Sequence, residues 1–144
     1  MKSLVIYDSV HGNTKAIAQA IAKELGDAQV VSVKEFKAEY LKEVKFLVVG
    51  SPIIAWKPTE AMAVFLARLK EKQLDGVKAA TFDTRVAVFH GDAAGKIAAE
   101  LARVGAQVVS EPMGFKVKGM EGPLKKGELE KAAAWARTLK ASAA

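Results

Sequence analysis

A chain of 144 residues and 15.4 kDa with 51% hydrophobic residues suits a single domain, 1–144, with enough apolar material for a full core. It contains no cysteine, which excludes structural disulfides, thiolate metal sites and thiol chemistry and accords with a reducing compartment. The net charge of +6 is spread along helices, as on solvated faces rather than a nucleic-acid patch, and neither a secretory pattern nor a bilayer-length apolar run is present, so a cytoplasmic protein without membrane insertion is expected.

Apolar runs and helical periodicity alternate along the chain, as in a parallel sheet covered by helices. SLVIYD (3–8) reads as strand one, and Ile17, Ala18, Ile21 and Leu25 line one side of a helix that stops at Gly26. AQVVSV (28–33) reads as strand two. A short helix around Phe36, Tyr40 and Leu41 leads to KFLVVG (45–50), an unbroken apolar run typical of a central strand buried on both faces. Thr59 is placed to cap a helix carrying Met62, Phe65, Leu66 and Leu69.

Strand four is read as VKAATFD (77–83), with VAVFHG (86–91) as the competing segment. Asp92 then caps a helix with Ala94, Ile97, Leu101 and Val104 inside, Gly105 ends it, and AQVVS (106–110) is strand five. The last helix is expected from about Glu128 to Leu139, with Leu129, Ala132, Ala136 and Leu139 facing in and a frayed tail, ASAA.

The turn DSVHGNTK (8–15) lies between strand one and the first helix, where sheets of this kind bind ligands. A helix start offers unpaired N–H groups, Gly12 lets an anion approach the backbone, and Ser9, Asn13 and Thr14 add donors. Neither GxxxxGK[ST] nor GxGxxG is present, so one monoester phosphate fits better than a triphosphate or a dinucleotide. From these residues alone, an ordinary capped strand-to-helix junction remains as good a reading. The chain's two histidines, His11 and His90, fall at the same sheet edge without a carboxylate pair beside them, a poor metal site. No nucleophile and base pair marks a hydrolase.

SVHGNT (9–14) resembles the phosphate loop of flavodoxins, [TS]xTGxT, with His11 where many members have Thr. GSPIIAW (50–56) resembles their GSPTYxG loop, with Trp56 either covering a flavin ring or packing under the next helix. FDTR (82–85), HGDAAGKIAAEL (90–101) and GPLKKGELEKAAAWA (122–136) resemble segments of short flavodoxin-like proteins, so the likeness spans most of the chain. It implies a three-layer α/β fold with a doubly wound five-stranded parallel sheet in the order 2-1-3-4-5.

The resemblance also implies FMN as cofactor. Its phosphate would meet Ser9, Val10, His11, Gly12, Asn13 and Thr14, and its ring Ser51, Pro52, Ile53, Ile54, Ala55 and Trp56 together with Asp83, Thr84, Arg85 and His90. Phe89 or His90 would stand in for the tyrosine that many flavodoxins place over the ring. The implied function is electron transfer between redox proteins, with an FMN-dependent quinone or small-molecule reductase as the alternative and a non-redox phospho-ligand or receiver-like module as a weaker one. The chain is basic where the family is acidic, so the expected partner presents an acidic docking face to a monomer or weak dimer. Lys57 and Arg85 beside the ring would raise the potential of the second electron by favouring the anionic, fully reduced form.

Overall fold

Alternation of apolar strands with amphipathic helices produces, in the computed structural model, which describes residues 2–143, a sheet with helices on both faces. In chain order the elements are β1 (Ser3–Tyr7), α1 (Asn13–Leu25), β2 (Ala28–Ser32), a 3₁₀ turn (Ala38–Leu41), β3 (Phe46–Ile54) and β4 (Lys57–Pro58). There follow α2 (Glu60–Ala67), β5 (Lys78–Arg85), α3 (Ala94–Arg103), β6 (Gln107–Val108), β7 (Met113–Lys116) and α4 (Glu128–Ala143). The parallel order is β2-β1-β3-β5-β6, which is the expected 2-1-3-4-5 once β5 and β6 are counted as strands four and five. The 86–91 segment is loop, so strand four lies where the first reading put it.

Strand alternation divides the core into two layers. Leu4, Ile6, Leu47, Val49 and Ala79 point to α2 and α3, where they meet Met62, Phe65, Ile97 and Leu101. Val5, Tyr7, Phe46, Val48, Ala80 and Phe82 point the other way, to Ile17, Ile21, Trp135 and Leu139 of α1 and α4. Every residue of β1 is buried, as a strand covered on both faces requires.

Three elements differ from expectation. The loop after strand three is largely strand: β3 runs on to Ile54 and folds back as β4, with Ile53 opposite Pro58 and Ile54 opposite Lys57. Strand five is split: Val108 pairs with Ala79 and Met113 with Phe82, so three steps along β5 face five along its partner, and the excess bulges out at 109–112. Pro112 in that bulge has no N–H to give the ladder. In α4, Leu129 is 44% exposed and Trp135 faces in. The first inward position is taken by Glu128, whose carboxylate accepts from Lys116 N at 2.8 Å, and Trp135 Nε1 donates to Ser110 Oγ in the bulge at 3.1 Å. Residues 141–143 of the expected frayed tail are helical, with Ala143 buried; Ala144 lies outside the described residues.

Among the described residues no helix is long and apolar enough to cross a membrane.

Candidate functional site

Because β1, β3, β5 and β7 are parallel neighbours, the segments that follow them emerge at one edge of the sheet. They surround a solvent-open cavity of about 230 Å³. The first turn contributes Val10, His11, Asn13 and Thr14; the β3–β4 hairpin contributes Pro52, Ile53, Ile54, Ala55 and Trp56. The end of β5 and the loop after it add Thr84, Arg85, Val86, Phe89 and His90, and the segment after β7 adds Val117 and Met120. Several large apolar side chains that the fold leaves in solvent stand around this mouth: Val10, Ile54, Trp56, Phe89 and Met120.

In the first turn Gly12 precedes α1 with φ +91°, a left-handed conformation that a side chain would strain. It provides no side-chain cap. Ser9 Oγ accepts from Gly12 N at 3.1 Å and Lys15 N at 3.3 Å, which curls the backbone around the hydroxyl. Among the described residues, no acceptor reaches the amide N–H groups of Val10, His11, Asn13 and Thr14. Successive unpaired amides at the positive end of a helix form an anion-binding concavity. By contrast, the starts of α2 and α3 at this edge are closed by side chains. Thr59 Oγ1 accepts from Met62 N in α2, and at α3 Asp83 and Asp92 take Ala93 N, Ala94 N and Gly95 N.

A buried chain of hydrogen bonds joins this turn to the hairpin. Asp8 Oδ1 accepts from Ser9 N at 3.0 Å and Oδ2 from Thr59 Oγ1 at 2.5 Å. Thr59 N in turn donates to Ser51 Oγ at 3.2 Å, and Ser51 Oγ donates to Pro52 O at 2.8 Å. Ser51 is fully buried, so it supports the hairpin from behind and does not line the cavity. The tip of the hairpin is Ala55 and Trp56, with φ +50° and +72°, the signs of a type I′ turn built without the usual Asn-Gly. This strained pair is braced by Asp92 N, which donates to Trp56 O at 3.3 Å, and it leaves the indole 57% exposed over the cavity. The packing of Trp56 under the next helix, one of its two expected roles, does not occur.

After β5 the two faces of the strand separate the functions expected of DTR. Thr84 faces α1, and its hydroxyl meets that of Thr14 at 2.8 Å. Asp83 is fully buried and does not line the cavity. Its carboxylate accepts from Arg85 Nε and Nη2, each at 2.6 Å, and from Ala93 N and Ala94 N at 3.2 and 2.9 Å. The hydrogen bond to Asp83 raises the Arg85 pKa against the opposing effect of burial, so the guanidinium stays charged and its charge is matched at once. Lys57 does not reach this cavity; it borders a separate groove with Glu60, Lys96 and Glu100. Of the two cations expected beside the ring, Arg85 lines the cavity with its charge matched by Asp83, and Lys57 does not line it. His90 Nδ1 faces Gly91 O at 2.5 Å and Nε2 faces Arg85 Nη1 at 3.5 Å, which orients the imidazole at the cavity wall.

Thus Val10, His11, Asn13, Thr14, Pro52 to Trp56, Thr84, Arg85 and His90 come together, Ser9 and Gly12 shape the turn without lining the cavity, and Ser51 and Asp83 stand behind it. Val86, Val117 and Met120 were not anticipated. For the last two, the available signal was a long Gly- and Pro-containing connection after an edge strand.

The family model described as "Flavodoxin domain" matches residues 4–101. No curated protein matches the chain. Among solved structures, oxidised Flavodoxin 1 from Bacillus cereus superposes with a TM-score of 0.81 at 21% identity, covering 95% of both chains. A flavodoxin from the domain Archaea gives 0.80 at 25% identity over 99% of both chains. Rubredoxin oxygen:oxidoreductase from Desulfovibrio gigas gives 0.81 at 19% identity, covering 99% of this chain and 36% of that one.

Proposed function

Because the chain belongs to the flavodoxin family, we propose that it holds FMN in this cleft and carries electrons between redox proteins. The observation that carries the reading is the open start of α1, where Gly12 leaves the amides of Val10, His11, Asn13 and Thr14 unpaired while side chains fill the starts of α2 and α3. A doubly charged phosphate suits that set of donors. Main-chain N–H groups lead the donor set; the Ser9 oxygen accepts from Gly12 N and Lys15 N and keeps its own proton to donate, while the Thr14 hydroxyl shares a hydrogen bond with that of Thr84.

Bound FMN supplies one- and two-electron chemistry, and the protein's part is to bind, orient and shield it. Trp56, Ile54 and Phe89 offer apolar and aromatic surface to a ring, and the β3–β4 hairpin and Thr84 provide the polar edge. With Arg85 matched by Asp83, the charge argument for a raised second-electron potential no longer applies. The partner surface is proposed to be acidic with an apolar centre, against a basic chain whose apolar residues ring the cleft. We place the protein in the cytoplasm as a single-domain monomer or weak dimer.

A carrier is favoured over a self-sufficient reductase by the shallow, solvent-open cleft. The FMN-loaded protein is expected to oxidise NADH or NADPH no faster than free FMN, and to be reduced promptly once a flavoprotein reductase is added. Sustained nicotinamide oxidation by the protein alone would establish the reductase reading instead.

Trp56→Gly separates stability from binding. Glycine relieves one left-handed residue of the hairpin, so the FMN-free protein is expected to gain about 1 kcal/mol in denaturant titration. FMN affinity falls in the same variant, because the exposed indole is lost from the cavity wall. A variant that loses stability while keeping its affinity would assign Trp56 to packing.

A further inference from the structure

Eleven residues, 117–127, connect β7 to α4. That is about twice the usual length of a connection in a compact domain. This one leaves the same sheet edge as the first turn and the hairpin, because β7 is parallel to β5. Its first part folds back on itself: Val117 bridges Leu124, Lys118 N donates to Pro123 O at 2.8 Å, and Gly122 N donates to Gly119 O at 2.9 Å. The tip then rests on the first turn. Asn13 Nδ2 donates to Glu121 O at 3.3 Å, and Gly122 lies so near that a Cβ there would stand 2.6 Å from the same nitrogen.

The result is an ordered arm whose Met120 borders the cavity while remaining 74% exposed. A flexible, polarisable thioether held at a cleft mouth has most of its apolar surface still to bury, and it packs well against aromatic rings. Asn13 is divided between two tasks: its main-chain N–H is one of the unpaired amides of the turn, and its side chain is committed to the arm.

We propose that residues 117–124 form a fourth wall of the cleft, latched to the first turn by the Asn13 side chain, and that Met120 closes over the bound aromatic mononucleotide. This rests on the FMN reading above. Met120 is a binding residue in this arrangement and Asn13, through its side chain, a positioning residue.

Hydrogen exchange of the wild-type protein with and without FMN tests the wall directly, without depending on any variant. Amides of 119–122 are expected to exchange at least about 5-fold more slowly in the FMN complex. Met120→Asp is expected to weaken FMN binding about 10-fold. Asn13→Ala is expected to weaken it less and to abolish the FMN-dependent protection of 119–122, a signature that simple loss of a phosphate contact would not produce. If wild-type protein binds FMN with unchanged exchange in 119–122, and both variants bind as tightly as it does, the fourth wall is wrong and the FMN reading stands. If wild-type protein binds no FMN, both are wrong.

Discussion

Asp83→Ala is expected to destabilise the protein by about 3–5 kcal/mol, read from urea or guanidinium unfolding. The carboxylate is fully buried and receives four donors: Arg85 Nε and Nη2, and the amides of Ala93 and Ala94. Removing it leaves a guanidinium whose side chain is only 19% exposed with Asp92 Oδ1, at 3.9 Å, as its remaining carboxylate, and frees the Ala93 and Ala94 amides at the start of α3. The loss extends to the cleft, since Arg85 also faces His90 and the freed guanidinium no longer holds the 86–91 segment. Arg85→Met is expected to cost less, because Asp83 keeps both helix amides. If Asp83→Ala unfolds within about 1 kcal/mol of wild type, the buried pair does not organise this edge of the sheet.

Gly50→Ala carries the second largest effect, about 3 kcal/mol. Gly50 sits in β3 beside β5, and a Cβ there would overlap the ring of Phe82. That ring is fully buried and fixed edge-on by Phe115 and Trp135 at centroid distances of 5.9 and 6.4 Å, so it has no space to retreat into. Phe82→Leu should restore part of the loss in the double variant although it is itself destabilising. Additive losses would show that the two residues do not share that space.

The parts of the molecule visible in the sequence were those decided locally. Val5 and Ile6 end in a glycine-bearing turn, Thr59 stands three residues before Met62, and the run from Phe46 to Gly50 is typical of an interior strand; each signal lies within a few residues of the feature it specifies. Asp83 could be marked as part of a site motif but its orientation could not, because its partners arrive from residues 85, 93 and 94 and depend on which face of β5 it occupies. The inward stripe of α4 was misjudged at Leu129 for a similar reason. Glu128 is drawn in by an amide of β7, and Trp135 packs edge-on against Phe82 and Phe115 while its indole N–H reaches Ser110 in the 109–112 bulge, partners distant in sequence. The bulge itself also displaced the arm at 117–124 from view, since an unbroken strand five was expected to end at 110. In the candidate site, the three loops carried by resemblance do converge, whereas the division between lining residues and supports, such as Ser51 behind Pro52, required the register of β3 against β5.

The central claim is that the open start of α1 selects a phosphate-bearing flavin. Titration of the FMN-free protein with FMN and, separately, with riboflavin tests it most directly. FMN is expected to bind with the visible spectrum of a protein-held flavin and at least about 100-fold more tightly than riboflavin, a difference of about 2.7 kcal/mol supplied by charge-assisted bonds to the four amides. A protein that takes up no FMN, or that binds riboflavin equally well, would contradict the account.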